Sequence, residues 1–330
     1  MPPVRQDEPR AAPPGERGGL PQLLKAEQAR VEVARHVFPA GGHRHLDVIQ
    51  GLYHRYSSKS FRTARRLSWN PKGATLPEYD PLADLYDLEY VHDHDAPFWL
   101  ALAEREPGPV VEWGAGTGRI AVPLAAAGRE VTAVEVSGAM VEKGREKDGT
   151  VEWVVGDMRA AKPGKRYGLA VCAFNSFLCL PGPNAALAFL LNAREHLEPG
   201  GLLGIEVSAF SPEELAEEPG GPVLRHDLTR DLPDGGSLDR FSLSRYDAAT
   251  QLMQMRLFYE LYDASGGLES RRAHDLTIRI TNRDELLLML RLADFDVEAL
   301  YGGFDAEPFT AESDHLIVLA RKRASARPEN

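Results

Sequence analysis

Residues 110–120 read Val-Val-Glu-Trp-Gly-Ala-Gly-Thr-Gly-Arg-Ile, an apolar run that leads into glycines at 114, 116 and 118. Glycines between a strand and a helix let the backbone turn sharply and approach a ligand closely. Glu135 ends a second apolar run, Val131–Glu135, and Asp157 ends a third in Gly156-Asp157-Met158. A carboxylate at the first of these positions can accept both hydroxyl protons of a ribose. Two acids at successive strand ends beside a glycine loop fit one nucleoside in the crevice of an open sheet. The spacing argues against a dinucleotide. That fingerprint is G-x-G-x-x-G, and here its last position is Arg119 while the third glycine is Gly118. Met140, on the following helix, can pack on the base or belong to the core.

The elements that must hold these groups alternate. Val110–Trp113, Val131–Glu135, Val151–Val155, Leu169–Phe174 and Leu202–Glu206 read as strands. Ile120–Ala127, Met140–Glu146 and Ala185–His196 read as helices, the last with Asn184 as its cap. Gly200-Gly201 supplies the turn into the fifth strand. Strands alternating with helices imply an α/β fold with a parallel sheet covered on both faces. After Glu206 the period changes to two, with Met253, Met255, Leu257, Tyr259 and Leu261 on one face, and Leu276, Ile278 and Ile280 doing the same. Asp263–Gly267 joins them as a hairpin, so this part reads as an antiparallel insert. A helix Arg283–Ala293 capped by Thr281 or Asn282, then strands near Val297–Tyr301 and His315–Ala320, close the chain.

The chain has 330 residues, 43% hydrophobic and 26% charged, enough for a sizeable core without disulfide staples. Cys172 and Cys179, seven apart in an apolar stretch, form no redox or zinc motif and read as free thiols of a reducing cytoplasm. No apolar run of about 18 residues and no signal-peptide core is visible. The net charge of −11 is uneven: residues 1–80 carry 13 Lys/Arg against 8 Asp/Glu, the other 250 carry 25 against 41. An acidic body suits nucleic acid poorly, although the basic arm leaves room for an anionic partner. His92-Asp93-His94-Asp95 invites a metal, but histidines two apart do not share a helix face; a polar helix start is the simpler reading, and no metal site is assigned.

Taken together, Tyr86-Asp-Leu-Glu-Tyr90, the Val110–Ile120 loop, Val131–Met140, Gly156–Arg159, Phe174-Asn175-Ser176 and His196–Val207 resemble class I S-adenosylmethionine-dependent methyltransferases. Within them the chain is most similar to small-molecule enzymes with an antiparallel lid, including sugar N-methyltransferases of macrolide biosynthesis. The resemblance runs from about Tyr79 to Lys322. It departs at Trp113 and Ala115, and at Gly168, where an acid usually opens the fourth strand. It implies a seven-stranded Rossmann-like sheet with an antiparallel β insert as lid and an N-terminal helical extension. The corresponding divisions are 1–20 (disordered tail), 21–75 (basic helical extension), 76–210 (cofactor-binding core), 211–280 (insert) and 281–330 (closing part and tail).

The implied cofactor is S-adenosyl-L-methionine, held by Glu112, Gly114, Ala115, Gly116, Glu135, Met140, Asp157, Met158, Phe174 and Asn175. Tyr86, Asn175 and Glu206 are the candidate catalytic residues. Each also has a plainer role open to it: helix packing, a turn and a solvated strand end. The implied activity is methyl transfer to a nitrogen or oxygen of a small molecule, with no nucleic-acid or membrane partner and with a homodimer open. The competing readings are an oxidoreductase, an RNA or protein methyltransferase docking through the basic arm, and a non-catalytic binding module. The insert, which leaves the core after the fifth strand, is expected to set acceptor identity.

Overall fold

Valine-rich runs make the middle of the sheet because strands covered on both faces must be apolar throughout. In the structure, a computed structural model, the described residues are 78–91, 93–216 and 221–323. Every described residue lies within the unit Ser68–Asn330. The expected tail and basic extension over 1–75 therefore lie outside the described residues, as does His92.

The described chain opens with a 3-10 turn (Asp80–Leu82), α1 (Ala83–Glu89) and α2 (Ala96–Arg105). Then come β1 (Val110–Trp113), α3 (Ala121–Ala126), β2 (Val131–Glu135), α4 (Gly138–Lys147), β3 (Glu152–Val155) and β4 (Tyr167–Cys172). After a 3-10 turn (Ser176–Cys179) follow α5 (Pro183–His196), β5 (Leu197–Ser208) and α6 (Pro212–Leu215). The insert holds β6 (Arg225–Asp231), β7 (Ser237–Asp247), β8 (Leu252–Tyr262) and β9 (Leu268–Arg279). The closing elements are α7 (Arg283–Leu292), β10 (Phe295–Tyr301) and β11 (His315–Lys322).

The seven-stranded sheet has the order β10-β11-β5-β4-β1-β2-β3, with β11 antiparallel to both its neighbours. Chain order reverses between β4 and β1, and that is where an open sheet leaves a crevice at the strands' C-terminal ends. β1, β2 and β4 are buried at every position, whereas β3, at the edge, is not. β6 to β9 form a separate antiparallel sheet. No helix among the described residues is long and apolar enough to cross a membrane.

Several expectations are corrected locally. The cap of α5 is Gly182, with Pro183 at the first helical position, so Asn184 already lies inside the helix. The fourth strand ends at Cys172, and Phe174 lies beyond it in a turn. Gly200-Gly201 is not a turn before β5 but an irregularity within it, where the pairing with β4 shifts between Tyr167 and Leu169. β6 and β7 escape a periodicity search because their faces are largely polar and partly exposed. The apolar face of β8 is not a free wall: Met253, Leu257 and Tyr259 are buried in the same cluster as Leu276, Ile278 and the sheet core.

Gly168 has a packing cause. A Cβ there would sit 1.5 Å from the carbonyl oxygen of Pro107, whose turn crosses the start of β4. No rotamer relieves an overlap with backbone, so Gly168→Ala should cost about 1–3 kcal/mol or more. Urea unfolding measures this; a loss below about 0.5 kcal/mol, the range of neutral surface changes, would show that the Pro107 turn yields freely.

Candidate active site

The glycine loop is held from beneath by two buried glutamates. Glu112 Oε2 accepts the Ala121 amide at 2.7 Å, tying β1 to the first residue of α3. Glu135 Oε2 accepts from the Gly116 amide at 2.9 Å and its Oε1 from the Ser137 amide at 2.9 Å. One carboxylate thus fixes the loop after β1 and the start of α4 together. Ser137 caps α4, its hydroxyl accepting from Met140 N at 3.1 Å. Gly114 has φ +72°, and a Cβ on it would come within 2.7 Å of Ser176, whose hydroxyl donates to the Gly114 carbonyl at 2.8 Å. Only glycine meets both demands.

Above the loop lies a pocket, open to solvent, between the ends of β1, β2, β3 and β4. Of the expected residues it brings together Tyr86, Gly114, Gly116, Glu135, Met140, Asp157, Met158 and Phe174. Glu112, Ala115, Asn175 and Glu206 are not on its wall. Glu112 and Ala115 are buried behind the loop, where the Ala115 amide donates to Val134 O at 3.1 Å. Asp157 faces the pocket with both oxygens engaged by Arg159, including two 2.9 Å bonds from Nε. Burial opposes its ionisation, but the Arg159 bonds prevail and hold the carboxyl below the usual range. Val136, also on the wall, is 44% exposed, leaving an apolar surface that a planar ring can cover.

Tyr79, Val136, Ser176 and Cys179 line the pocket without having been singled out beforehand. Ser176 stood in the quoted Phe174-Asn175-Ser176 string and Val136 beside Glu135; nothing local marks Tyr79 or Cys179. The Tyr79 hydroxyl and Cys179 Sγ lie 3.9 Å apart, and burial pushes the thiol up to about 12.

Phe174 reaches the pocket from two successive left-handed residues, Phe174 (φ +52°) and Asn175 (φ +65°). Such backbone costs on the order of 1–3 kcal/mol per residue and persists only when its surroundings over-determine it. Here they do. Glu206 Oε2 accepts from the Phe174 amide at 2.5 Å. Asn175 Oδ1 accepts from Ser208 N at 2.6 Å, and its Nδ2 donates to Ser208 Oγ at 3.0 Å. The other Glu206 oxygen, Oε1, meets His315 Nδ1 at 2.8 Å, and this bond raises the imidazole's proton affinity. Glu206 and Asn175 therefore position Phe174 and do not front the pocket. Arg119 stacks on the other face of this corner, its guanidinium carbon 4.2 Å from the Phe174 ring centre, and bonds Asp95 at 2.5 Å.

Tyr79 and Tyr86 roof the pocket from the 3-10 turn and α1. Asp80 bonds the Ser137 hydroxyl, and Asp87 accepts from Thr117 Oγ1 at 2.6 Å and Lys147 at 2.7 Å. The rings of Tyr86 and Tyr90 are 4.8 Å apart, and Tyr90 meets Phe174 edge-on at 4.9 Å. Burial raises the phenol pKa of Tyr79, Tyr86 and Tyr90. Among the described residues no group of three or more His, Cys, Asp or Glu is gathered for a metal. Asp95 of the His/Asp run serves instead at the start of α2 and against Arg119.

Burial lifts the Glu112 carboxyl from 4.5 to about 8, with the Ala121 bond opposing. The folded state then binds a proton that the unfolded chain releases, so stability falls as pH rises from about 4.5 through 8. Glu112→Gln keeps an acceptor for Ala121 without the ionisation. Its denaturation curves should match the parent near pH 5 and show greater stability near pH 9; superimposed pH profiles would remove this role.

A methyltransferase-domain family matches residues 110–201. The cypemycin N-terminal methyltransferase of a Streptomyces species is 28% identical over 221 residues, covering 65% of this chain and 83% of that protein. The CcbJ methyltransferase of Streptomyces caelestis superposes with TM-score 0.61 at 29% identity, over 74% of this chain and 96% of that one. The sugar N-methyltransferase KedS8 of Streptoalloteichus has TM-score 0.60 at 20% identity, over 76% and 95%, a likeness of fold. With a methyltransferase domain over residues 110–201 and the sheet of the methyltransferase fold, the chain is an S-adenosylmethionine-dependent methyltransferase.

Proposed function

We propose that the chain methylates a nitrogen of a small molecule. The carrying observation is that the acids around the pocket are committed elsewhere. Glu135 holds Gly116 and Ser137, Asp157 holds Arg159, Glu112 holds Ala121, and Glu206 holds Phe174 and His315. The roofing tyrosines are made harder to ionise by burial. S-adenosylmethionine supplies a methyl already activated on a sulfonium. A neutral amine then needs alignment and no base, whereas a hydroxyl calls for one. The resemblance to the cypemycin N-terminal methyltransferase supports the same reading.

The pocket residues suit the cofactor as follows. Glu135, with lone pairs to spare beyond its two backbone bonds, takes the ribose hydroxyls. Asp157 takes the adenine amino group, and Val136, Met140 and Met158 cover the ring. Gly114 and Gly116 let the backbone come close, and Phe174 with Ser176 borders the methionyl part. Tyr86 closes the roof near the reacting atoms, and Asn175 and Glu206 act through Phe174. The core is proposed as 76–210 with 281–330 and the insert as 211–280. A cytoplasmic setting fits Cys172 and Cys179 as free thiols.

A second reading, O-methylation, is favoured by one feature: His315 and Glu206 form an imidazole–carboxylate pair at the C-terminal end of β5, next to Phe174. A panel of matched amines and alcohols, assayed with the parent and His315→Asn, separates the two. N-methylated products and surviving turnover in His315→Asn are expected. Turnover of alcohols alone, lost in His315→Asn, would move the assignment to oxygen.

For the cofactor, Glu135→Ala should weaken S-adenosylhomocysteine binding about ten- to hundredfold, since bonds to a charged acceptor contribute roughly 1.5–3 kcal/mol. Calorimetric titration measures it, with no heat expected from NAD. Unchanged affinity in a folded variant would take Glu135 out of the site.

A further inference from the structure

The insert sheet carries a straight row of polar side chains across three of its strands. Arg240 of β7 lies directly opposite Tyr259 of β8, and Tyr259 directly opposite Arg272 of β9. Cross-strand partners share a face, so the three point the same way. All three reach α1, the helix that carries Tyr86. Arg240 forms an ion pair with Glu89 and donates to the Tyr90 hydroxyl at 3.1 Å. The Tyr259 hydroxyl donates to Glu89 Oε2 at 2.8 Å. Arg272 bonds Asp84, one turn earlier, at 2.7 Å. Arg230 adds a bond to the Glu89 carbonyl at 3.2 Å, and Asp227 braces Arg240 at 3.1 Å.

We propose that the row Arg240–Tyr259–Arg272 is a clamp by which the insert holds α1, and with it Tyr86 and Tyr90, over the cofactor pocket. These are positioning residues for cofactor retention. The reading rests on assigning the pocket beneath Tyr86 to the cofactor.

Burial decides which members matter. Glu89 is 2% exposed and Tyr259 1%, so the acid has no water to turn to if Arg240 is removed. A buried charge that loses its partner is strongly destabilised, whereas an exposed pair such as Arg272–Asp84 contributes little. The strain falls where it affects the pocket. Glu89 is the last residue of α1, Tyr86 sits one turn before it, and Tyr90 packs between Tyr86 and Phe174. On its other side α1 is tied to the glycine loop and α4 through Asp87 to Thr117 and Lys147. α1 is thus strung between the insert and the cofactor loops, and loosening either attachment frees the roof.

The test is the release rate of S-adenosylhomocysteine, by stopped flow, with hydrogen exchange over residues 83–90. The variants are Glu89→Gln, Arg240→Leu, Arg240→Lys and Tyr259→Phe. The control is Arg256→Leu, which breaks a pair with Asp275 on the opposite face of β8 and does not touch α1. Arg240→Leu and Glu89→Gln should release the ligand roughly 5- to 150-fold faster, the usual span of coupling between separate groups and a ligand. Exchange in α1 should rise with it, Arg240→Lys should recover part of the loss, and the double variant should be no worse than either single one. Parent release rates in folded variants, or equal acceleration by Arg256→Leu, would overturn the clamp. Tyr259→Phe, which removes one hydroxyl and keeps the ring, decides the matter if the charge variants do not fold. Glu135→Ala in the same assay guards the premise: if it leaves binding intact, the pocket assignment fails; if it weakens binding while the clamp variants do not, only the clamp fails.

Discussion

Three buried glutamates at strand ends hold backbone amides in place, and the geometry of the site follows from them. Glu112 on β1 grips Ala121, Glu135 on β2 grips Gly116 and Ser137, and Glu206 on β5 grips Phe174. Each sits where a strand gives way to a loop whose amides cannot continue the ladder. A carboxylate is well suited to this, since it accepts without donating and can hold two amides at once. It is also costly to bury. Desolvation raises the pKa of Glu112 and Glu135 against the pull of the amides they hold. The loops are therefore fixed where a ligand must be met by backbone.

The roof is built differently. The 3-10 turn and α1 are short, and α1 spans only seven residues, too few to be stable alone. Its stability has to come from what it touches: Asp87 with Thr117 and Lys147 on one side, Glu89 with Arg240 and Tyr259 on the other. The floor is held by carboxylates at the strand ends of one sheet, and the roof by side chains of the glycine loop, α4 and the insert sheet.

Much of the floor was legible in the sequence, because its determinants are local. Val110–Trp113 and Val131–Glu135 form strands at those bounds, and Gly114, Gly116, Glu135, Asp157 and Phe174 meet in one pocket. Legibility failed where a residue's role depends on distant partners. Glu206 reads as a free acid facing a pocket until His315, 109 residues away, and Phe174 occupy its two oxygens. Phe174 reads as the end of an apolar strand because nothing in its type signals a left-handed backbone; Glu206 and Ser208 impose it. The strands β6 and β7 carry no period because both are largely polar, and on β7 the face that holds Leu238 is interrupted by Arg240, Ser242 and Ser244. That interruption is the clue to contact with α1, and it is visible only once Glu89, 151 residues earlier, lies beside it.

The division between floor and roof also bears on how such a chain can change its acceptor. On the assignment proposed above, the nucleoside half of the pocket depends on backbone amides and a few glycines, so it tolerates change only at the level of backbone shape. With the nucleoside groups proposed to lie on β2 and β3, the acceptor would approach over the ends of β4, β5 and β11, on the far side of Phe174 from Glu135. The surfaces there belong to Phe174, Tyr90, Arg119 and the His315 corner, which adjoin one another through rings and charges. Each is oriented by a partner outside the pocket: Phe174 by Glu206, Tyr90 by Arg240, Arg119 by Asp95. Substitution of a partner can turn these side chains without touching the loop that meets the cofactor. Acceptor preference can therefore drift through β5, α2 and the insert while the glycine loop and its glutamates stay as they are.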